Sequence, residues 1–143
     1  MNILKVAEFF LTKQGMTHKK IQKLCYYSQA WYYALYNKKL FDDRIEAWVH
    51  GPVSPTLYKE YAEFGYKEIP KINKEIKMQE KEEDVLNQVW EIYGKFDGDE
   101  LEVLTHREQP WIDARRGIDY RKPSNNEILP HNMGKYYREK YCR

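Results

Sequence analysis

THKKIQKLCYYSQAWYYALY, residues 17–36, is the stretch from which the fold can be read. Ile21, Leu24, Cys25, Ser28, Trp31 and Leu35 recur at helical spacing on one face, and Tyr27 and Tyr32 widen it. Thr17 is a good N-cap, its hydroxyl placed to accept an orphan N–H of the first turn. The spacing predicts a long helix ending near Tyr36 at the centre of the core. Its charge is unusual. Lys19, Lys20 and Lys23 crowd the first two turns, the positive end of the helix dipole, where cations are mildly unfavourable. Either the acidic residues further along the chain pair with them, or they form a docking patch for an acidic partner.

On the N-terminal side, Asn2 to Gln14 reads as a helix with Ile3, Val6, Ala7 and Phe10 inward, stopped by Gly15. On the C-terminal side, Leu40-Phe41 and Ile45–Val49 are expected to pair across Asp42-Asp43-Arg44. A lone hairpin is marginal, so it must lie against helices. Ile45 to Tyr58 reads IEAWVHGPVSPTLY, a stiff aromatic corner. Gly51 and Pro52 supply turn chemistry, Ser54 caps the next helix, and Pro55 sits at its first position, where a missing N–H costs nothing. That helix runs to Phe64, with Gly65 after it.

Residues 66–80 read as a charged loop. Helices follow over Lys81–Tyr93, Leu101–Arg107 and from Gln109 to a stop at Gly117, with an acidic first turn at Glu82-Glu83-Asp84. Tyr120–Leu129 is irregular, and Pro130 opens a last helix carrying Met133, Tyr136, Tyr137 and Tyr141. The expected fold is mainly α: one compact domain over residues 1–143, six or seven helices, and a small hairpin near residues 40–49.

The chain has 143 residues, enough for one domain with a real core. Thirteen Tyr and four Trp imply either a Tyr-lined core with hydroxyls at its rim or an exposed aromatic binding face. The charge is blocked. Residues 1–41 carry seven Lys against one Glu, residues 42–102 sixteen acidic residues against eight basic, and residues 103–143 nine basic against five acidic. A polarised surface is expected if the blocks stay apart in the fold. Cys25 and Cys142 form no CxxC, so neither a disulfide framework nor a zinc site is expected. No leader pattern and no membrane-length apolar run is visible, which points to the cytoplasm and to no membrane partner.

Signals for catalysis are weak. His18, His50, His106 and His131 are scattered without an HExxH, no GxSxG is present, and the glycines never cluster into a phosphate cradle. His50, His106 and Glu108 are the residues a metal-dependent hydrolase would use. A nucleic-acid role would need the Lys-rich helix to lie on phosphates with Tyr26 or Tyr33 stacking on bases, and the modest net charge of +2 argues against it. LTHREQPW, residues 104–111, places His106 at one helix end and Pro110-Trp111 at the start of the next. His106 either ties that corner while Trp111 plugs the core, or shares a ligand or partner site with His50 and Trp48.

Three segments together resemble a known family: IQKLCYYSQAWYYALYNKKLFDD (residues 21–43), IEAWVHGPVSPTLY, and LTHREQPW followed by Ala114-Arg115. In this order and spacing the chain is similar to the Panacea domain, which includes SocA-like antitoxins and phage-associated GepA-like proteins. The matching positions are Lys23, Leu24, Tyr26, Gln29 and Trp31; then Glu46, Ala47, Trp48, Gly51, Pro52 and Val53; then Leu104, Thr105, His106, Pro110 and Trp111. Cys25 departs from the family's tendency to an aliphatic residue. The resemblance implies a helix-rich, non-enzymatic antitoxin that binds and neutralises a cognate toxin, with delivery of that toxin to a protease as an adaptor variant. A phage-associated metal-dependent hydrolase and a DNA-binding autoregulator are the alternatives. The residues expected to face a partner are Lys19, Lys20, Lys23, Tyr26, Trp48, His50, His106 and Trp111. Gly51, Pro52, Ser54, Pro55, Thr105 and Pro110 are expected to be structural, and no catalytic residue, metal or cofactor is implied. Trp48 and His50 are expected to meet His106 and Trp111 in space.

Overall fold

The computed structural model describes residues 1–141. Its centre is the helix α2 (His18–Tyr36), with Thr17 Oγ1 accepting from Lys20 N. Every residue from Lys20 to Ala30 is buried, so this middle stretch of the helix is enclosed on all sides, whereas Leu35 near its end is exposed. Around it lie α1 (Ile3–Leu11), α3 (Pro55–Tyr61), α4 (Glu80–Tyr93), α5 (Gly98–His106), α6 (Gln109–Ala114) and α7 (Pro130–Tyr141). Cys142 lies outside the described residues.

Local chemistry explains the helix ends. Asn2 caps α1 by accepting from Lys5 N, and Ser54 caps α3 by accepting from Leu57 N. Capping boxes open α4 (Gln79 with Glu82) and α5 (Asp97 with Glu100). The acidic first turn of α4 suits the positive end of its dipole. A 3-10 turn, Ala62–Phe64, finishes α3.

The most extensive packing between elements is α7 against α2. A Cβ on Gly134 would come within 2.5 Å of the Tyr33 ring and 3.1 Å of the Ala34 backbone nitrogen. A glycine there lets the two helices approach, and Arg138 then ties them by donating to the Ala34 carbonyl at 3.0 Å. The loop over residues 66–79 is fixed by a bridge between Met16 and Ile69, and Ile69 is buried.

The hairpin exists, but its strands differ from those expected. β1 (Glu46–Trp48) pairs antiparallel with β2 (Gly51–Val53), in the register Glu46 to Val53, Ala47 to Pro52 and Trp48 to Gly51. Leu40-Phe41 cannot form the partner strand because the Gln29 side chain takes both its Leu40 N–H and its Phe41 carbonyl, each at 2.7 Å. On its other edge β1 receives residues 126–128 through Ala47 N to Asn126 O and Ile128 N to Ile45 O. Gly51 adopts φ +109°, a conformation that side chains disfavour.

The charge blocks do not stay apart. Lys19 pairs with Asp99 and Glu102 at 2.8 and 2.7 Å, and Lys74 pairs with Glu8 at 2.6 Å. The first and middle blocks therefore touch in the fold rather than staying apart.

Candidate functional site

The three signature segments converge at Lys23. Its side chain, 1% exposed, runs beneath the hairpin and donates to the Pro52 carbonyl at 3.3 Å. A Cβ on Gly51 would lie 2.7 Å from Lys23 Cε and 3.0 Å from Thr105 Oγ1. One point therefore brings together α2, the hairpin and α5, and only glycine fits between them. Burial pushes the Lys23 amine down to about 7, against the pull of Glu102.

Outside this contact sits the exposed tip of the hairpin. His50 Nδ1 lies 3.2 Å from Glu102, which also accepts the Lys19 ion pair. Burial alone would raise Glu102, but its bonds to Lys19 and His50 outweigh that and hold its carboxyl below the usual range. Trp111 Nε1 donates to the Trp48 carbonyl at 2.8 Å, and the His106 ring stacks on Trp111 at 4.0 Å. Trp48 thus meets Trp111 of the LTHREQPW segment, while His50 is bonded to Glu102, which precedes that segment. His106 is pushed down by burial, and its Nε2 is buried with no hydrogen-bond partner among the described residues.

The residues expected to face a partner divide sharply. Lys20, Lys23, Tyr26 and Trp111 are buried, while Lys19, Trp48 and His106 are half-buried and His50 is exposed. The lysine patch is therefore not a surface. Lys20 donates to the Gly94 carbonyl and Lys23 to Pro52, because α2 is wrapped by irregular backbone whose carbonyls need donors. The same geometry leaves no phosphate-binding stripe along α2. Tyr26 joins a buried network instead. Its hydroxyl meets that of Tyr137 at 3.1 Å, and Glu108 accepts from Tyr27 at 2.6 Å and from Tyr137 at 2.9 Å. These tyrosine hydroxyls are bonded inside the core rather than at its rim. The expected structural residues Pro52, Ser54 and Pro110 are buried, and Pro55 begins α3.

Glu108 is thus committed to tyrosines and His50 to Glu102. Among the described residues no group of three or more His, Cys, Asp or Glu is placed to hold a metal ion. The hydrolase alternative finds no ligand set in this arrangement.

What remains exposed is aromatic. Trp48 packs on Tyr58 at 5.2 Å between ring centres, Tyr58 on His18 at 5.2 Å, and His18 on Tyr61 at 6.3 Å. Tyr61 continues to Phe64 at 6.3 Å. A connected row of rings therefore runs along α3 to the hairpin, with Tyr58 exposed, Trp48, Tyr61 and Phe64 half-buried and His18 buried within it. Burial, then the Lys23 charge, pushes His18 down to about 4, which keeps this row neutral at its centre.

The family model "Antitoxin SocA-like, Panacea domain" matches residues 21–112. The chain belongs to this family. No curated protein and no solved structure matches it. The matched stretch contains Lys23, Gly51 and Thr105, which meet where α2, the hairpin and α5 converge, and Trp111, which bonds to the hairpin. No helix among the described residues is long and apolar enough to cross a membrane.

Gln22 is not singled out by the sequence, and Gln29 and Arg115 are named only for the family resemblance, without a structural role. Gln22 brackets Ser54 through its N–H and carbonyl at 2.8 and 3.1 Å, as Gln29 brackets Leu40-Phe41. They lie seven residues apart on α2, and this i, i+7 glutamine spacing is the signal that could have found them. Arg115, 2% exposed, donates to the carbonyls of Ala47, Asp119 and Lys122 and so fastens the segment after α6 to the hairpin.

Proposed function

We propose that this protein is a non-enzymatic antitoxin that neutralises a cognate toxin by binding it directly in the cytoplasm. Family membership supports an antitoxin role. The observation that carries the binding reading is the exposed Tyr58 ring packed on the half-buried Trp48, which sits on a hairpin that Lys23, Trp111 and Arg115 hold in place. Aromatic side chains on a pre-organised element are favoured interface anchors, since they bury large area at little entropic cost.

The test is co-expression of this chain with the product of the gene beside it. Rescue of growth together with co-purification of the two proteins is expected. Toxicity unrelieved by this chain, with no complex formed, would refute the reading. Following toxin abundance in the same cells separates blocking, in which the toxin persists in complex, from delivery to a protease, in which it disappears.

A further inference from the structure

We propose that His18 is a proton-sensitive latch for the junction between the hairpin and α3: unprotonated, it holds the Gln22 amide that seats Ser54, and a proton on its ring unseats that junction. The consequence for partner binding rests on the toxin-binding reading; the latch itself does not.

The direction of each hydrogen bond around Gln22 is fixed. Its Oε1 accepts from Ser54 N at 2.8 Å, and its Nε2 donates to the Ser54 carbonyl at 3.1 Å. These two bonds settle which end of the amide is which. The second hydrogen on Nε2 is left for His18 Nε2, 3.1 Å away. An amide nitrogen only donates, so His18 Nε2 must accept and carries no proton. Protonation would set N–H against N–H. The amide would have to turn, and turning it removes both partners of Ser54.

Ser54 is the joint between two elements. It is 1% exposed, follows directly on β2, and caps α3 by accepting from Leu57 N at 3.2 Å. The His18 ring also lies 5.2 Å from Tyr58, which packs on Trp48 at 5.2 Å. One ring therefore supports both the joint and the aromatic pair beside it. No carboxylate offsets an added charge there. The groups that face His18 are Lys23 on its own helix and Tyr58 and Tyr61 on α3, with the backbone of Leu57 against the ring. The groove on its outer side carries Lys19, Lys20, Lys71 and Lys95 against Glu68, Asp97, Asp99 and Glu100, which balance. His18 is only 7% exposed, and burying an unpaired charge is costly. Its native value of about 4 lies below its ordinary 6.5, so the seated form binds fewer protons than the released one. Seating is complete at neutral pH and weakens as pH falls below 6.5.

The experiment follows the His18 ring and the Ser54 amide by NMR at about pH 7.5 and about pH 5, without a partner. In the wild type the ring should stay neutral at the lower pH, while Ser54 loses hydrogen-exchange protection about 30-fold, as linkage to a group titrating at about 4 requires. His18→Gln keeps an acceptor for Gln22 and cannot be protonated, so its loss at Ser54 should be about tenfold smaller. Gln22→Glu offers a protonated ring an acceptor and should raise the proton affinity of His18 at least about tenfold. Ordinary titration of His18 in the wild type, or the same loss at Ser54 in wild type and His18→Gln, would overturn the latch. So would an equal loss at the Leu40 amide, which Gln29 seats without a histidine, because that would mean general unfolding. Binding of the purified product of the adjacent gene is compared at the same two pH values. Affinity should weaken at the lower pH at least about threefold more in the wild type than in His18→Gln. Equal pH dependence in the two would overturn the control of binding. No binding by either at any pH would refute the toxin-binding reading and leave the NMR result standing.

Discussion

Lys23 Nζ lies 3.3 Å from the Pro52 carbonyl, beneath a hairpin whose Gly51 could not carry a side chain without meeting the same lysine. A buried ammonium with one carbonyl acceptor is an expensive way to hold a sheet edge. Pro52 has no N–H, and its carbonyl faces the core rather than the ladder, so a donor from α2 is what satisfies it.

Lys23 makes stability depend on pH. Its native value of about 7 lies below its ordinary 10.5. The native state therefore favours the neutral amine, and the contribution of this group rises as pH climbs from about 7 toward 10.5. Urea unfolding at about pH 7 and about pH 9.5 should show that rise in the wild type and a flatter profile in Lys23→Met. Equal slopes in the two proteins would show that the amine is not desolvated.

Gly51→Ala should destabilise the protein by about 2 kcal/mol or more, because the substitution combines a positive φ with a collision. The collision is with Lys23 Cε. Part of the loss should return in a Lys23→Ala background. A double-mutant cycle on thermal or urea unfolding measures this coupling, and strict additivity would contradict the contact.

Gln29→Leu should cost about 2–4 kcal/mol, since it strips partners from two buried backbone groups. Hydrogen exchange should accelerate first at the Leu40 amide, which donates to Gln29 Oε1. Gln22→Leu should act similarly at Ser54. Unchanged protection at Leu40 in the Gln29 variant would count against this role.

Glu108 should oppose the usual acid sensitivity of carboxylates. Burial raises it, although bonds from Tyr27 and Tyr137 pull the other way. With the native value above the unfolded one, its stabilising contribution is complete at low pH and is lost as pH rises through the native value. Glu108→Gln keeps an acceptor and removes the charge, so it should stay within about 1 kcal/mol of wild type at neutral pH. Glu108→Leu leaves tyrosine hydroxyls without their acceptor and should cost about 2–4 kcal/mol. Equal losses in the two variants would show that the hydroxyls do not depend on it.

Much of the fold was legible in the residues. Helix starts could be read at Asn2, Thr17, Ser54-Pro55 and Pro130 because capping is decided within four residues of chain. The hairpin was legible as a strand-like run but not as a pair. Its partner was settled at a distance, when Gln29 took the backbone groups of Leu40-Phe41 and left β1 to fold back on Gly51–Val53. The three segments of the resemblance were likewise visible in the sequence, whereas the approach between Lys23, Gly51 and Thr105 is encoded by no local pattern.

The lysines of α2 mark the boundary most clearly. By itself the sequence determined that Lys19, Lys20 and Lys23 lie in the first turns of a long helix, because periodicity and capping are local properties. Only the tertiary structure decided that Lys23 is core and Lys19 is rim. Helical spacing reports which residues share a face, but a stretch enclosed on every side has no solvent face to report. Polar residues there are placed by the unpaired carbonyls of the segments that wrap it: Gly94 for Lys20 and Pro52 for Lys23.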